Sequence, residues 1–101
     1  MANNLTYEDI LKLLRSERIF LRNEFGVVNI GLFGSYAKGT QEDDSDIDIV
    51  VEIEQSKKNI HSFLRLKRFL EKEFSKKVDL GFEYTLKPII KDKIKRDIIY
   101  A

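Results

Sequence analysis

The stretch Gly31–Ile53, GLFGSYAKGTQEDDSDIDIVVEI, decides how this chain is read. Its left end closes an apolar run, Val27 to Phe33, that is rich in β-branched residues and bounded by glycines, the pattern of a short strand. Gly34-Ser35 follows, and Ser35 to Gly39 has room for one helical turn. Gln41 to Ser45 is polar loop. Ile47 to Ile53 then alternates as a second strand, with Asp46 and Asp48 at its mouth. Side chains alternate across a strand, so Asp46 and Asp48 share one face and Ile47, Ile49 and Val51 the other. Two carboxylates on one strand face are either solvated loop ends or ligands for a cation.

Outward from this centre the elements are regular. Thr6-Tyr7-Glu8-Asp9 reads as a capping box with Asp in the last place. Ile10, Leu13, Leu14, Leu21 and Phe25 keep helical spacing up to Gly26, which predicts one helix over 7–25. Asn59 to Phe74 predicts a second helix with Ile60, Phe63, Leu64, Phe69, Leu70 and Phe74 as its apolar stripe. Lys77 to Phe82 reads as a third strand. Lys87-Pro88 opens a last helix with Ile90, Ile94 and Ile98 on one face. The order α-β-turn-β-α-β-α predicts one α/β domain over 1–101, a small mixed sheet with helices packed on one side.

Bulk properties narrow the function. The 101 residues are 43% hydrophobic and 35% charged, the balance of a globular domain. A formal net charge of +1 gives no field for direct nucleic-acid binding. No apolar run approaches the roughly 20 residues of a membrane helix, and the N-terminus lacks the order of a signal peptide. The absence of cysteine removes thiolate zinc sites and cysteine nucleophiles and is compatible with a cytoplasmic setting. The one histidine, His61, sits among Lys and Arg in a helix and reads as a solvated side chain, which argues against a Ser-His-Asp triad. Tyr36 either covers the core or packs beside a ligand.

In the third strand Val78, Leu80 and Phe82 share one face and Asp79 takes the other. If this strand neighbours the second, Asp79 joins Asp46 and Asp48. Three clustered carboxylates raise one another's pKa, and divalent cations relieve that repulsion. Oxygen-only ligands suit magnesium, which usually keeps waters and substrate phosphates in its shell. Two such ions roughly 4 Å apart are a known way to stabilise in-line phosphoryl displacement. Gly34-Ser35 can offer backbone N–H groups and a hydroxyl to a phosphate, with Lys38 as a candidate charge nearby. Singly, each feature has a plain reading as turn, solvated loop or surface charge. The ordered set of strand, Gly-Ser, Ser-Asp-x-Asp, strand, helix and strand with Asp has no bland explanation that needs every part.

The segment GSYAKGTQEDDSDIDIVV resembles the signature of the nucleotidyltransferase superfamily, and more narrowly the minimal nucleotidyltransferase (MNT) group, in which Gly-Ser-x-Ala-Arg-Gly precedes Ser-Asp-x-Asp. Lys38 stands where that pattern has Arg; lysine keeps the charge but not the planar fork. The resemblance implies the nucleotidyltransferase fold and transfer of AMP from ATP to a hydroxyl. It implies that Gly34 and Ser35 bind the triphosphate, that Asp46 and Asp48 hold two Mg²⁺ ions, and that Asp79 shares a metal or acts as base. It further implies a prokaryotic cytoplasmic antitoxin of a toxin–antitoxin module. Its partner would be a HEPN-domain ribonuclease, silenced by AMPylation of a tyrosine. Neutralisation by docking alone with a vestigial site, or a role as subunit of a small-molecule nucleotidyltransferase, are the alternatives.

Overall fold

The computed structural model describes residues 5–82 and 98–101. The chain begins with two helices, α1 (Tyr7–Ser16) and α2 (Arg18–Phe25), and enters strand β1 (Val27–Phe33). A short helix, α3 (Gly34–Lys38), leads through the acidic loop to β2 (Ile47–Ile53). A 3-10 turn at Gln55–Lys57, helix α4 (Ile60–Phe74) and strand β3 (Val78–Phe82) follow, and β4 (Ile99–Tyr100) closes the order.

Local chemistry explains most boundaries. At the start of α1 the Thr6 hydroxyl accepts the Asp9 N–H at 3.3 Å, while Asp9 Oδ2 accepts the Thr6 N–H at 3.0 Å, the reciprocal capping box expected. The Asn59 side chain caps α4 by accepting the Ser62 N–H at 2.9 Å. Gly26, at φ 71°, ends α2 in the left-handed conformation that glycine adopts without a Cβ penalty.

One expectation needs correction here: the helix over 7–25 is two helices joined at Glu17. The Ser16 hydroxyl donates to Leu13 O at 2.8 Å, the same carbonyl that accepts the Glu17 N–H at 3.0 Å. Such back-bonding by serine bends helices. The break aims Ile10, Leu11 and Leu14 of α1 and Leu21 and Phe25 of α2 into one core.

The sheet runs β3-β2-β1-β4, with β2 parallel to β3 and β1 antiparallel to both β2 and β4. It is the small mixed sheet expected, and the core lies between one of its faces and the helices. Ile47, Ile49, Val51 and Ile53 of β2 are 0–2% exposed beneath Leu66 and Leu70 of α4 and the apolar side of α1 and α2. Each side chain of that size, fully buried, stabilises the fold by roughly 1.5–3 kcal/mol. The stripe on α4 differs from expectation: Leu66 is buried, whereas Ile60 and Leu64 are 70% and 40% exposed. Leu66 and Leu70, with Phe63 and Phe74 partly buried, keep spacings of three and four residues on the inner side, and this set leaves Ile60 and Leu64 off it.

The last strand was not legible. The helix read from Lys87 falls largely on residues outside those described. Its Ile98, however, directly precedes β4, where Tyr100 pairs with Gly31 and Ile99 with Leu32, so the chain at this end is extended rather than helical. A pairing of two residues with a partner some seventy positions away leaves no local periodicity to read. The far face of the sheet is therefore not bare. A Cβ on Gly31 would meet Ile98 Cγ2 at 2.5 Å and Tyr100 Cδ1 at 3.1 Å, and Val50 on the same face is 1% exposed.

Candidate active site

The register fixes which side chains meet on the face away from the core helices. Phe33 of β1 pairs with Asp48 of β2, and Asp48 pairs with Asp79 of β3. Neighbouring strands lie about 4.8 Å apart, so paired residues on one face touch. Ile47, Val78, Ile49 and Leu80 on either side of this row are buried toward the core, which leaves Asp48 and Asp79 projecting the other way. The burial of the apolar residues thus orients the acidic ones. A slip of one residue would put the carboxylates into the core.

Electrostatics shows that the acids are coupled. Asp48 is pushed up from 3.8 to about 6: first by burial, then by the negative charges of Asp79 and Asp46, and by a hydrogen bond with the Asp79 side chain. Asp48 and Asp79 thus lie close together on paired strands, and Asp46, one residue before β2, is close enough to repel Asp48. Asp48 and Asp79 meet on one face, as alternation in the two strands predicted, and Asp46, outside β2, lies near Asp48. They do not form a finished metal cage: among the described residues no group of three or more His, Cys, Asp or Glu side chains stands arranged to hold an ion. The donor chemistry does fit a hard cation. All donors are carboxylate oxygens, and the charge that disfavours ionised Asp48 is what a bound Mg²⁺ neutralises.

Gly34 makes room for this arrangement. It sits at φ 77°, and a Cβ there would lie 3.0 Å from Asp48 Cγ and closer still to Oδ2. The backbone at the entry to α3 therefore runs directly against the Asp48 carboxylate. Ser35 follows in the first turn of α3, which has no side-chain cap, and Gly39 at φ 73° turns the chain away at its other end. First-turn N–H groups of a helix lack intrahelical partners, and here they lie beside the carboxylates, so an anion reaching them would also approach any cation the carboxylates hold. Lys38 is exposed on the last turn of α3. Tyr36 is 3% exposed and belongs to the core, and His61 is exposed on α4, as its sequence neighbours suggested.

Three supporting side chains were not read from the sequence. Lys76 Nζ donates to Asp43 O at 2.7 Å, joining the acidic loop to the turn between α4 and β3. Glu71 Oε2 accepts the Val78 N–H at 3.0 Å, fixing the start of the strand that bears Asp79. Tyr100 lies over Gly31, one row below Phe33, Asp48 and Asp79 on the same face. Lys76 and its acceptor are thirty-three residues apart, and no spacing rule joins them.

The arrangement can do one kind of chemistry well. A cluster of carboxylates that favours a divalent cation faces a glycine-serine turn that favours phosphate. Comparison with known proteins agrees. The family profile "Nucleotidyltransferase domain" matches residues 14–101. Protein adenylyltransferase MntA of Thermococcus cleftensis is 38% identical over 97 residues, covering 96% of this chain and 97% of the relative. A solved structure assigned as a minimal nucleotidyltransferase superposes with a TM-score of 0.78 at 30% identity, covering 95% of this chain and 96% of the other. A toxin–antitoxin structure with AMP-PNP matches with a TM-score of 0.59 at 31% identity, over 85% of this chain and 64% of that one. The chain belongs to the nucleotidyltransferase domain family, and it is a nucleotidyltransferase.

Proposed function

We propose that this chain is an antitoxin that transfers AMP from ATP to a tyrosine hydroxyl of a partner HEPN-domain toxin and thereby silences it. The observation that supports the reading is the close approach of Gly34 to Asp48 in the row that also holds Asp79, because backbone free to bind phosphate then lies against coupled carboxylates. The names of the relatives support it: one is a protein adenylyltransferase, and another was solved as a toxin–antitoxin with AMP-PNP.

In this reading the N–H groups and hydroxyl at Gly34-Ser35 bind the triphosphate, and Lys38 adds positive charge on the same turn. Asp46, Asp48 and Asp79 would hold two Mg²⁺ ions, whose chemistry is to neutralise the phosphates and lower the pKa of an attacking hydroxyl. The acceptor oxygen attacks the α-phosphorus, the bond from that phosphorus to the bridging oxygen breaks, and pyrophosphate leaves. Asp79, at the exposed edge of the row, takes the hydroxyl proton.

The test is label transfer from α-labelled ATP to a purified HEPN-domain toxin, with magnesium. Transfer to a tyrosine, abolished by Asp46→Ala and by Asp48→Ala, is the expected result. A folded wild-type protein that transfers nothing, while the double variant still neutralises the toxin, would establish docking as the mechanism instead.

A further inference from the structure

The Asp46 side chain has no hydrogen-bond or ion-pair partner among the described residues, so its place is set through the backbone. Downstream, the Ile47 N–H donates to Lys77 O at 3.0 Å and begins the β2–β3 pairing. Upstream lies the acidic loop. Glu42 and Ser45 close it on itself: the Glu42 N–H donates to Ser45 Oγ at 2.9 Å, and the Ser45 N–H donates to Glu42 O at 3.0 Å. Among the described residues, two side-chain hydrogen bonds attach that closed loop to the rest of the fold. Gln41 Nε2 donates to Leu5 O at 3.2 Å, and Lys76 Nζ donates to Asp43 O at 2.7 Å.

Lys76 is suited to this place in two further ways. Its ammonium lies 6.0 Å from the centroid of the Tyr36 ring, which is buried in the core, so the cation is located by a rigid group. It also sets a positive charge within a loop that holds Glu42, Asp43 and Asp44 ahead of Asp46. Lys76 and Lys77 are adjacent, so one turn grips the chain on both sides of Asp46.

We propose that Lys76, by holding the carbonyl of Asp43 against the α4–β3 turn, is a positioning residue for Asp46 and so for metal-ion affinity at the site. This rests on the reading of Asp46 as a metal ligand. Groups that orient metal ligands without touching the ion typically alter affinity by about 10- to 100-fold when removed. Lys76 is one of two anchors of the loop, so the low end applies.

The test compares wild type with Lys76→Met and Lys76→Arg. Met keeps the apolar stem and removes the donor; Arg can still donate to Asp43 O. Three quantities are read: Mn²⁺ binding in the presence of ATP by calorimetry without acceptor, amide exchange of residues 41–45 without metal, and the thermal midpoint. Lys76→Met is expected to weaken Mn²⁺ binding by about 10-fold and to speed exchange in the loop, and Lys76→Arg is expected to restore both. In transfer assays the loss falls on the metal concentration needed for half-maximal rate more than on kcat at saturating metal. Unchanged Mn²⁺ affinity in Lys76→Met overturns the proposal, as does an Arg variant as impaired as Met. A thermal midpoint lowered equally in both variants with no change in metal affinity assigns Lys76 a purely structural role. Wild-type protein that binds Mn²⁺ with ATP yet modifies no acceptor refutes the transfer reading and leaves the Lys76 comparison intact.

Discussion

Replacing Asp48 with asparagine should stabilise this fold at neutral pH and leave it unchanged in acid. Asp48 titrates near 3.8 when its surroundings are water and near 6 in the folded chain, raised by burial and by Asp79 and Asp46. Between those values the folded state binds more protons than the unfolded state. Stability from this group is therefore full below 3.8 and is lost as the pH rises through about 6. The rise from 3.8 to about 6 corresponds to at most about 3 kcal/mol. Asp48 is only partly buried, and solvent screening brings the expected figure to about 1 kcal/mol. Asparagine removes the charge, keeps the shape and can donate to the Asp79 carboxylate. For a domain of this size, 1 kcal/mol moves the thermal midpoint by about 4–8 °C. The assay is thermal unfolding followed by circular dichroism, with chelator present, across the acid range and up to pH 8. The gap between Asp48→Asn and wild type should open as the pH rises and flatten above about 6.5, half a unit past the pKa of Asp48. Added Mg²⁺ should close it by stabilising wild type alone. A variant less stable than wild type at pH 8, or a gap independent of pH, refutes the placement of three repelling carboxylates at this end of the sheet.

Two further outcomes follow from contacts around the same row. Gly34→Ala places a methyl group on the Asp48 carboxylate at a backbone φ of 77°, so AMP transfer should fall at least about 100-fold, with a stability cost of about 1–2 kcal/mol; label transfer and thermal melts on the same preparation measure both. Glu71→Ala leaves the N–H of Val78, a residue 2% exposed, without its acceptor, and should cost about 1–3 kcal/mol in urea unfolding. Glu71→Gln, which can still accept that hydrogen bond, should cost less.

What the sequence disclosed and what it withheld divide along a physical line. The β2 segment reads correctly because its signal is local: Ile47, Ile49, Val51 and Ile53 are core and Asp48 is not, and a period of two says so without knowledge of any partner. Asp79 could be added because β3 alternates in the same way, and the parallel register sets it opposite Asp48. The capping box at Thr6 and the stop at Gly26 are likewise local. The bend at Ser16 was missed because a serine back-bonded to Leu13 and a serine pointing into solvent have the same sequence. β4 and the Lys76–Asp43 anchor were missed because each joins segments far apart in the chain, where no period exists.

Glycine marks the boundary between the two kinds of information. Gly34 is legible as a residue that permits a tight turn, but its use lies in what it leaves out: the space a Cβ would fill belongs to the Asp48 carboxylate. Gly31 works in the same way one row below, where the missing side chain admits Ile98 and Tyr100. Both glycines lie in or beside β1, on the face that carries the acids. Their positions let backbone or aromatic groups reach the sheet surface on that face, while the core face is closed by branched aliphatic side chains. The asymmetry follows from the two jobs of one sheet. A core face is stabilised by filling volume, whereas a face that brings phosphate to carboxylates needs side chains absent at the points of approach.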